Sequence, residues 1–157
     1  MELTLKTGIT IKELSFNELN KFHNILKETG ARKNFKIRDI NYYQDMYKLF
    51  SPKNEVKYLI AELNLNNYVE NLEKEKQDKI TKLSSNLKQT KKQELEKEIK
   101  NIDNKIKEAK KIKEKANNDI IVLSGSMFIL TKPEIIYLSS GNYKEYLNFN
   151  SQYLFNI

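Results

Sequence analysis

The side chains best suited to bind a charged substrate lie in a short basic segment, residues 31–38, and at the tyrosine that follows it. Arg38 and Tyr42 are four residues apart. An arginine guanidinium can hold a phosphate through two parallel hydrogen bonds, and a tyrosine hydroxyl can add another donor. The segment carries further positive charge at Arg32, Lys33 and Lys36. The alternative is structural: Arg38 would neutralise Asp39 or Asp45, and Tyr42 would pack in the core.

The sequence predicts no nucleophile and no metal site. Ser139 and Ser140 have no base spaced to activate them. The single histidine, His23, follows Phe22 on a predicted helix, where we expect it to be exposed or to hold a polar contact. Cysteine is absent, acidic residues occur mainly as helical charge pairs, and the four glycines are scattered. We therefore expect no metal and no glycine-rich phosphate loop.

A second basic region, residues 64–118, holds most of the excess positive charge. It contains fifteen lysines against eight glutamates and two aspartates, so five of the seven net charges of the chain lie there. Such a region could bind a phosphate-rich partner. It could equally be the solvated surface of a helix with Glu and Lys at helical spacing.

Within this region, residues 66–116 show apolar side chains at alternating spacings of three and four, the pattern of a narrow coiled-coil seam. The seam positions are Leu65, Val69, Leu72, Ile80, Leu83 and Leu87, then Leu95, Ile99, Ile102, Ile106, Ala109, Ile112 and Ala116. Lys76 takes one expected apolar position, and Lys88–Lys92 has no apolar residue. We predict an antiparallel helical hairpin with two arms of nearly equal length, about 35 Å each, that projects from the core.

The segments that flank the hairpin predict strands at four places. These are Gly8–Leu14, Glu55–Leu63, Asp119–Thr131 and Glu134–Ser140, rich in Val, Ile, Leu and Tyr or alternating in character. The last two are joined at Lys132–Pro133 and predict an antiparallel β-hairpin. The core is therefore predicted to be α+β.

Two helices are predicted between the first and second of these strands. Ser15 and Glu18 match a capping box, and the helix that they begin should stop at Gly30. Asp39 should cap a second helix that ends at Ser51–Pro52. The apolar tail after Tyr143 stops as though a helix had been cut, which predicts a fragment of a larger protein.

Composition limits the classes to which the chain can belong. Its 157 residues, 39% hydrophobic and 31% charged, suit one modest core with an inserted hairpin. The absence of cysteine and of an apolar N-terminal run predicts a reducing, cytoplasmic location. No segment approaches the roughly 20 apolar residues of a membrane span, whereas a net charge of +7 leaves peripheral contact with anionic lipid open.

The order of these elements resembles that of the FemA/FemB/FemX family of peptidoglycan-bridge aminoacyltransferases. The likeness rests on Phe22–Thr29, Arg32–Tyr43, Tyr58–Leu63 and Ile136–Gly141, with a Ser-Ser-Gly turn at the end, and on the position of the hairpin. It implies a partial GNAT-like (acyl-CoA N-acyltransferase-like) subdomain with a mainly antiparallel mixed sheet and flanking helices at residues 1–63 and 119–157. Residues 64–118 would be the inserted antiparallel coiled coil.

The resemblance also implies an activity and its substrates. Family members transfer an amino acid from aminoacyl-tRNA to the stem peptide of a lipid-linked or UDP-linked peptidoglycan precursor. Arg38 and Tyr42 match an Arg-x-x-x-Tyr pattern on the substrate side, and Tyr137 matches a position that lines the substrate cleft. The catalytic groups are expected beyond Ile157, so the isolated chain should be inactive. Aminoacyl-tRNA would be the co-substrate, and no other cofactor is implied.

The resemblance assigns the hairpin to tRNA. The lysines that would contact tRNA phosphates are Lys82, Lys88, Lys91, Lys92 and Lys97. For Tyr137, the alternative to the substrate-cleft role is that its side chain simply packs in its strand. The rival function is a non-enzymatic adaptor, or a self-associating module, that acts through the hairpin. With either function, a homodimer or a dimer with a related protein stays open.

Overall fold

The computed structural model describes residues 2–4, 8–149, 151 and 155. Two compact units are present: the first comprises Met1–Thr4, Ile9–Glu62 and Val122–Ile157, and the second comprises Leu5–Gly8 and Leu63–Ile121. The described parts of each unit are considered separately. The division of the chain into a GNAT-like part and a coiled coil, with the boundaries given above, stays a prediction.

A five-stranded sheet has its strands in chain order, β1-β2-β3-β4-β5. The strands are β1 (Glu2–Thr4), β2 (Ile9–Glu13), β3 (Val56–Asn64), β4 (Ile120–Leu130) and β5 (Ile135–Asn142). β1 pairs antiparallel with β2, and β4 with β5. The Leu14 N–H, at the end of β2, donates to the Tyr58 carbonyl near the beginning of β3. The Leu130 N–H, at the end of β4, donates to the Glu55 carbonyl just before β3. β3 is therefore antiparallel to both of its neighbours.

Helix α1 (Leu19–Lys33) packs its apolar side on this sheet. Phe22, Ile25 and Leu26 are buried together with Tyr58 and Ile60 of β3. The helix approaches closely because Gly125 and Gly141, partners across β4 and β5, have no side chains. A Cβ on Gly141 would lie 2.7 Å from Thr29 Oγ1 and 2.9 Å from Ile25 Cγ2.

The beginnings of the two helices confirm the capping predictions. The Glu18 carboxylate accepts hydrogen bonds from the backbone N–H and the hydroxyl of Ser15, both at 3.1 Å. A 3-10 turn at Phe16–Glu18 precedes α1. Helix α2 (Ile40–Phe50) begins at Asp39, whose side chain accepts from the Asn41 N–H at 2.9 Å.

Two local predictions are wrong. Helix α1 does not stop at Gly30 but continues to Lys33 and ends at Asn34, which has a left-handed backbone with φ of 56°. Residues 31–33 are therefore helical and not part of a loop. Ser139–Gly141 is not a turn, because these residues continue the ladder of β5 opposite Gly125, Ser126 and Met127. In β5, pairing with β4 outweighs the local preference for a turn. At Gly30, the close approach of Phe35 and Ile37 has the same effect.

The second unit contains a helical hairpin made of α3 (Leu65–Leu83) and α4 (Gln89–Ala116). Side-chain pairs between the helices run in opposite directions along the chain: Lys113 with Asn66, Lys76 with Asp103 and Lys79 with Glu98. The hairpin is therefore antiparallel. Its arms have 19 and 28 residues, so the prediction of nearly equal arms is wrong. Helix α4 begins at Gln89, inside the interruption, because the polar residues of its first turn need no apolar partner.

The predicted seam is buried in the middle of the hairpin. Leu72, Ile102 and Ile106 form a small core with Tyr68 and Val69 packed against it. Lys76, the exception to the pattern, reaches Asp103 on the facing helix at 2.6 Å. At two positions the seam prediction is wrong: Ile80 is 40% exposed, and Ala116 is exposed at the last turn of α4.

The tail after β5 begins with a 3-10 helix at Lys144–Phe149 rather than the predicted α-helix. Most of the remaining tail lies outside the described residues. Among the helices that the structure describes, none combines the length and the apolar character that crossing a bilayer requires.

Candidate functional site

The candidate site is built around the segment 34–39, which joins α1 to α2 and carries Arg38. The segment turns back against α1 at Gly30, where an added Cβ would lie 2.8 Å from Ile37 Cγ2 and 2.9 Å from the Phe35 carbonyl oxygen. The Gly30 carbonyl accepts the N–H of Asn34 and of Phe35, the latter at 3.0 Å. Gly30 is therefore needed for close approach and not as a helix stop.

Arg38 is held at both its backbone and its side chain. His23 Nε2 on α1 lies 3.1 Å from the Arg38 carbonyl oxygen, which accepts its proton. The guanidinium lies over the Tyr42 ring, 5.4 Å from the ring centroid. This cation–π contact leaves the guanidinium edge, with its N–H groups, available to an anion. The polar contact expected of His23 is thus the one that positions Arg38.

The structural alternative for Arg38 and Tyr42 is not what the geometry presents. The Asp39 carboxylate caps α2 instead. No ion pair joins Arg38 to Asp39 or Asp45, all three of which belong to the described part of the chain. Tyr42 is 38% exposed, whereas its neighbour Tyr43 is 4% exposed and takes the core position.

Tyr43 forms a rigid support beneath the site. Its ring meets those of Tyr42 and Phe22 edge-on, with centroids 5.2 Å and 5.5 Å away. The buried Tyr58 hydroxyl of β3 donates to the Tyr43 carbonyl at 3.0 Å. Burial raises the pKa of Tyr43, so its hydroxyl stays protonated at neutral pH.

A cleft of about 210 Å³ opens beside Arg38 and Tyr42. Besides these two, its lining residues are Phe35, Lys36, Ile37, Tyr43, Met127, Leu138 and Ser139. Leu138 and Ser139 are adjacent in β5, and adjacent residues of a regular strand point to opposite faces. Here the register shifts: Met127 pairs with Ser139 and Phe128 with Tyr137, which leaves Leu138 as the extra residue of a β-bulge. The bulge allows both side chains to line the cleft.

Tyr137 lies beside the cleft rather than in it. Its ring packs on Phe128 with centroids 5.3 Å apart, and its hydroxyl oxygen accepts from Ser126 Oγ at 3.4 Å. It is 47% exposed but is not one of the residues that line the cleft, all of which are described. The structure thus joins Arg38 and Tyr42 in one cleft and leaves Tyr137 next to it.

The five predicted tRNA-contacting lysines belong to the second unit. Lys82 lies in the last turn of α3, Lys88 is the residue immediately before α4, and Lys91 and Lys92 lie in the first turn of α4. Lys91 also pairs with Glu94 at 3.0 Å, and Lys97 lies further along α4. Four of the five, Lys82, Lys88, Lys91 and Lys92, therefore lie around the connection between the helices, where the sequence contains few apolar residues.

Sequence reasoning missed six of the lining residues, Phe35, Ile37, Tyr43, Met127, Leu138 and, as a lining residue, Ser139. Phe35 could have been recognised from the sequence, because a large aromatic side chain in a short basic connection is expected to lie at the surface. Phe35 is 47% exposed. Met127, Leu138 and Ser139 follow from strand pairing and the bulge. Within the described residues, His, Cys, Asp and Glu form no group of three or more able to hold a metal.

Comparison with known proteins identifies the family. A profile of the FemAB family matches residues 3–157. The chain belongs to the FemAB family. Among curated FemAB-type relatives, it is similar to an aminoacyltransferase FemA of Staphylococcus epidermidis, with 28% identity over 94% of this chain. It is also 30% identical, over 94% of its length, to a lipid II:glycine glycyltransferase of the same species.

The match to FemAB relatives covers nearly all of this chain but a minor part of theirs. The chain spans 37% of the FemA and 38% of the glycyltransferase. A crystal structure of FemX superposes with a TM-score of 0.61 at 21% identity, covering 95% of this chain and 40% of that one. At that identity the superposition concerns the fold, and it agrees with the predicted α+β, GNAT-like class.

Proposed function

We infer that this chain is part of an aminoacyltransferase that moves an amino acid from aminoacyl-tRNA to the stem peptide of a peptidoglycan precursor, forming the interpeptide bridge. The observation that carries the proposal is the cleft of a FemAB-family chain in which Arg38 and Tyr42 lie together. The names of the relatives, an aminoacyltransferase and a lipid II:glycine glycyltransferase, support the same reaction class.

In this reaction the precursor binds at the cleft through its anionic part. The Arg38 guanidinium donates to phosphate oxygens while the Tyr42 ring holds its orientation, and the Tyr42 hydroxyl supplies a further donor. Lys36, also in the lining, adds positive charge. Tyr137 contributes from the adjacent strand position. These groups bind and orient the precursor, whose amine must be placed for attack.

The acyl group arrives already activated as an ester of tRNA. The precursor amine attacks the ester carbonyl, an amide bond forms, the ester bond breaks, and the tRNA hydroxyl leaves with a proton. The lysines around the α3–α4 connection supply electrostatic contact to tRNA phosphates. Neither step requires a metal or a further cofactor from this chain.

The test is a titration of the chain with a UDP-linked muropeptide, followed by amide chemical shifts. The proposal expects shifts confined to the cleft and its border, residues 35–43, 127 and 137–139, and none of them in Arg38→Ala. In an intact enzyme that contains this chain, Arg38→Ala should raise the apparent Michaelis constant for the precursor. Shifts elsewhere, or kinetics that do not change, would refute the assigned role.

A further inference from the structure

Two exposed apolar side chains line the cleft at Arg38 and have no part in holding a phosphate. Phe35 is 47% exposed and Leu138 is 46% exposed, and both belong to the residues that line the cleft. Exposed apolar side chains that are scattered singly over a surface need no explanation. Two that line one concavity beside a charged group are typical of a site that binds the carbon part of a ligand.

Phe35 is held in place by the close approach of its segment to Gly30. The Phe35 N–H donates to the Gly30 carbonyl at 3.0 Å. A Cβ on Gly30 would lie 2.9 Å from the Phe35 carbonyl oxygen and 3.7 Å from the ring carbon Cε2. The backbone of Phe35 therefore lies against α1, while the residue stays nearly half exposed. Phe35 thus reaches the cleft from the same connection that carries Arg38.

Leu138 reaches the cleft because of the β-bulge. It is the extra residue of β5 where the register shifts between Met127 and Phe128 of β4. Bulges of this kind re-aim side chains and are common next to functional sites. Ile136, in the same strand, is exposed to a similar extent, 42%, yet does not line the cleft. The bulge, and not exposure alone, therefore brings Leu138 to the cleft.

The charge of the lining determines what these apolar side chains can accompany. Lys36 and Arg38 are the charged residues among the nine that line the cleft, all of them described, and none of the nine is acidic. The nearby Asp39 carboxylate caps α2 instead. Two cations suit a diphosphate, which carries two adjacent anionic groups. A free diphosphate would leave Phe35 and Leu138 in water, whereas a diphosphate ester would bring its carbon group against them.

We propose that Phe35 and Leu138 are specificity-determining residues that contact the carbon group esterified to a diphosphate at Arg38. The cleft then binds a diphosphate ester in preference to a free diphosphate. Apolar side chains suit the face of a nucleobase or an isoprenoid chain. These are the groups that carry the diphosphate in a UDP-linked and in a lipid-linked precursor. The inference rests on the proposed function and adds to it the residues that recognise the group beyond the phosphates.

The experiment is calorimetric titration of the chain with inorganic pyrophosphate, UDP and geranyl diphosphate. All three ligands contain the diphosphate group, and they differ in what is attached to it: nothing, a nucleoside or an isoprenoid chain. No muropeptide and no tRNA are added. At least one of the two esters should bind about tenfold more tightly than pyrophosphate, because its carbon is buried against both side chains. A gain with UDP identifies a nucleoside at the cleft, and a gain with geranyl diphosphate identifies an isoprenoid chain.

Variants separate contact with the carbon group from contact with the anion. Phe35→Ala and Leu138→Ala should each weaken binding of the preferred ester about fivefold. Both should leave the affinity for pyrophosphate unchanged, because Lys36 and Arg38 remain. Phe35→Leu keeps an apolar side chain and should recover most of the loss. Ile136→Ala is the matched control, because Ile136 is similarly exposed in the same strand but does not line the cleft; its affinities for all three ligands should equal those of the unchanged chain.

The proposal is overturned if neither ester binds more tightly than pyrophosphate, or if Ile136→Ala weakens ester binding as much as Leu138→Ala. It is also overturned if Phe35→Ala and Leu138→Ala weaken pyrophosphate and ester equally, since the two side chains would then only shape the anion site. Pyrophosphate binding that Arg38→Ala abolishes, without a preference for either ester, refutes the apolar contact and leaves the proposed function standing. Failure of all three ligands to bind the unchanged chain refutes this inference and the phosphate site of the proposed function together.

Discussion

The guanidinium of Arg38 lies over the ring of Tyr42, while His23 holds the carbonyl of the same arginine from α1. The cation is therefore oriented before any ligand arrives. A preorganised guanidinium loses little side-chain entropy when it binds a phosphate, which makes it a stronger site than a free surface arginine. Tyr42 in turn is supported edge-on by the buried Tyr43.

The first prediction concerns this pair. Arg38→Ala should weaken binding of a UDP-linked muropeptide to the chain at least about tenfold, because it removes charge-assisted hydrogen bonds. Arg38→Lys should recover only part of the affinity, since a lysine offers a point charge without the planar fork. Tyr42→Leu should weaken binding while Tyr42→Phe retains the ring contact. Calorimetric titration measures all four, with Lys33→Ala as the control; equal affinities throughout would exclude the cleft.

The second prediction concerns the glycine contact between α1 and β5. Gly141→Ala should destabilise the chain by about 2 kcal/mol, because the new methyl group would meet Thr29 Oγ1 at 2.7 Å and the Ile25 carbonyl oxygen at 3.1 Å. Urea unfolding followed by circular dichroism gives the free energy. Ser140→Ala, in the same strand, should change it by less than about 0.5 kcal/mol. A stable Gly141→Ala chain would mean that α1 can move away from the sheet.

The third prediction separates tRNA binding from helix docking by the hairpin. Binding to bulk tRNA should weaken steeply with salt, and replacement of Lys82, Lys88, Lys91, Lys92 and Lys97 by Gln should reduce the slope by about 0.7 to 0.9 for each phosphate that is no longer neutralised. The matched control replaces five lysines further along α4, at Lys100, Lys105, Lys107, Lys110 and Lys111, which alters the net charge equally. If both variants behave alike, only overall charge matters. Salt-independent association would favour the adaptor or self-associating alternative.

The fourth prediction is a pH dependence at the beginning of α1. A hydrogen bond from Lys12, then one from the Ser15 backbone, lowers the pKa of Glu18 from 4.5 to about 2. A carboxyl whose pKa is lowered on folding stabilises the fold above its unfolded pKa, and this stabilisation is lost as pH falls through the folded pKa. Glu18→Gln should therefore cost about 1 kcal/mol at neutral pH. The difference from the unchanged chain should shrink between pH 4.5 and about 2.

Thermal unfolding across this pH range provides the measurement. Glu134→Gln is a suitable control, because Glu134 is exposed in the turn between β4 and β5. A Glu18→Gln chain with the same pH profile as the unchanged chain would show that the carboxylate is not used for capping.

The sequence by itself determined the α+β class, the caps at Ser15–Glu18 and Asp39, and the antiparallel helical hairpin. These features depend on residues close together in the chain: a cap needs a side chain within three residues of its amide, and a seam needs apolar residues at regular spacing. The pair Arg38 and Tyr42 could also be predicted from the sequence for this reason, because Arg38 lies on a short connection and Tyr42 on the helix that follows it.

Only the tertiary structure decided which residues form the walls of the cleft. A glycine such as Gly30 usually marks the end of a helix. Here α1 continues through Gly30, and Phe35 and Ile37 pack where a side chain at this position would lie. Leu138 and Ser139 line the cleft together because β5 has one residue more than β4 at that point. A strand's side chains alternate in direction, and nothing within β5 itself reveals where its pairing with another strand will shift by one residue.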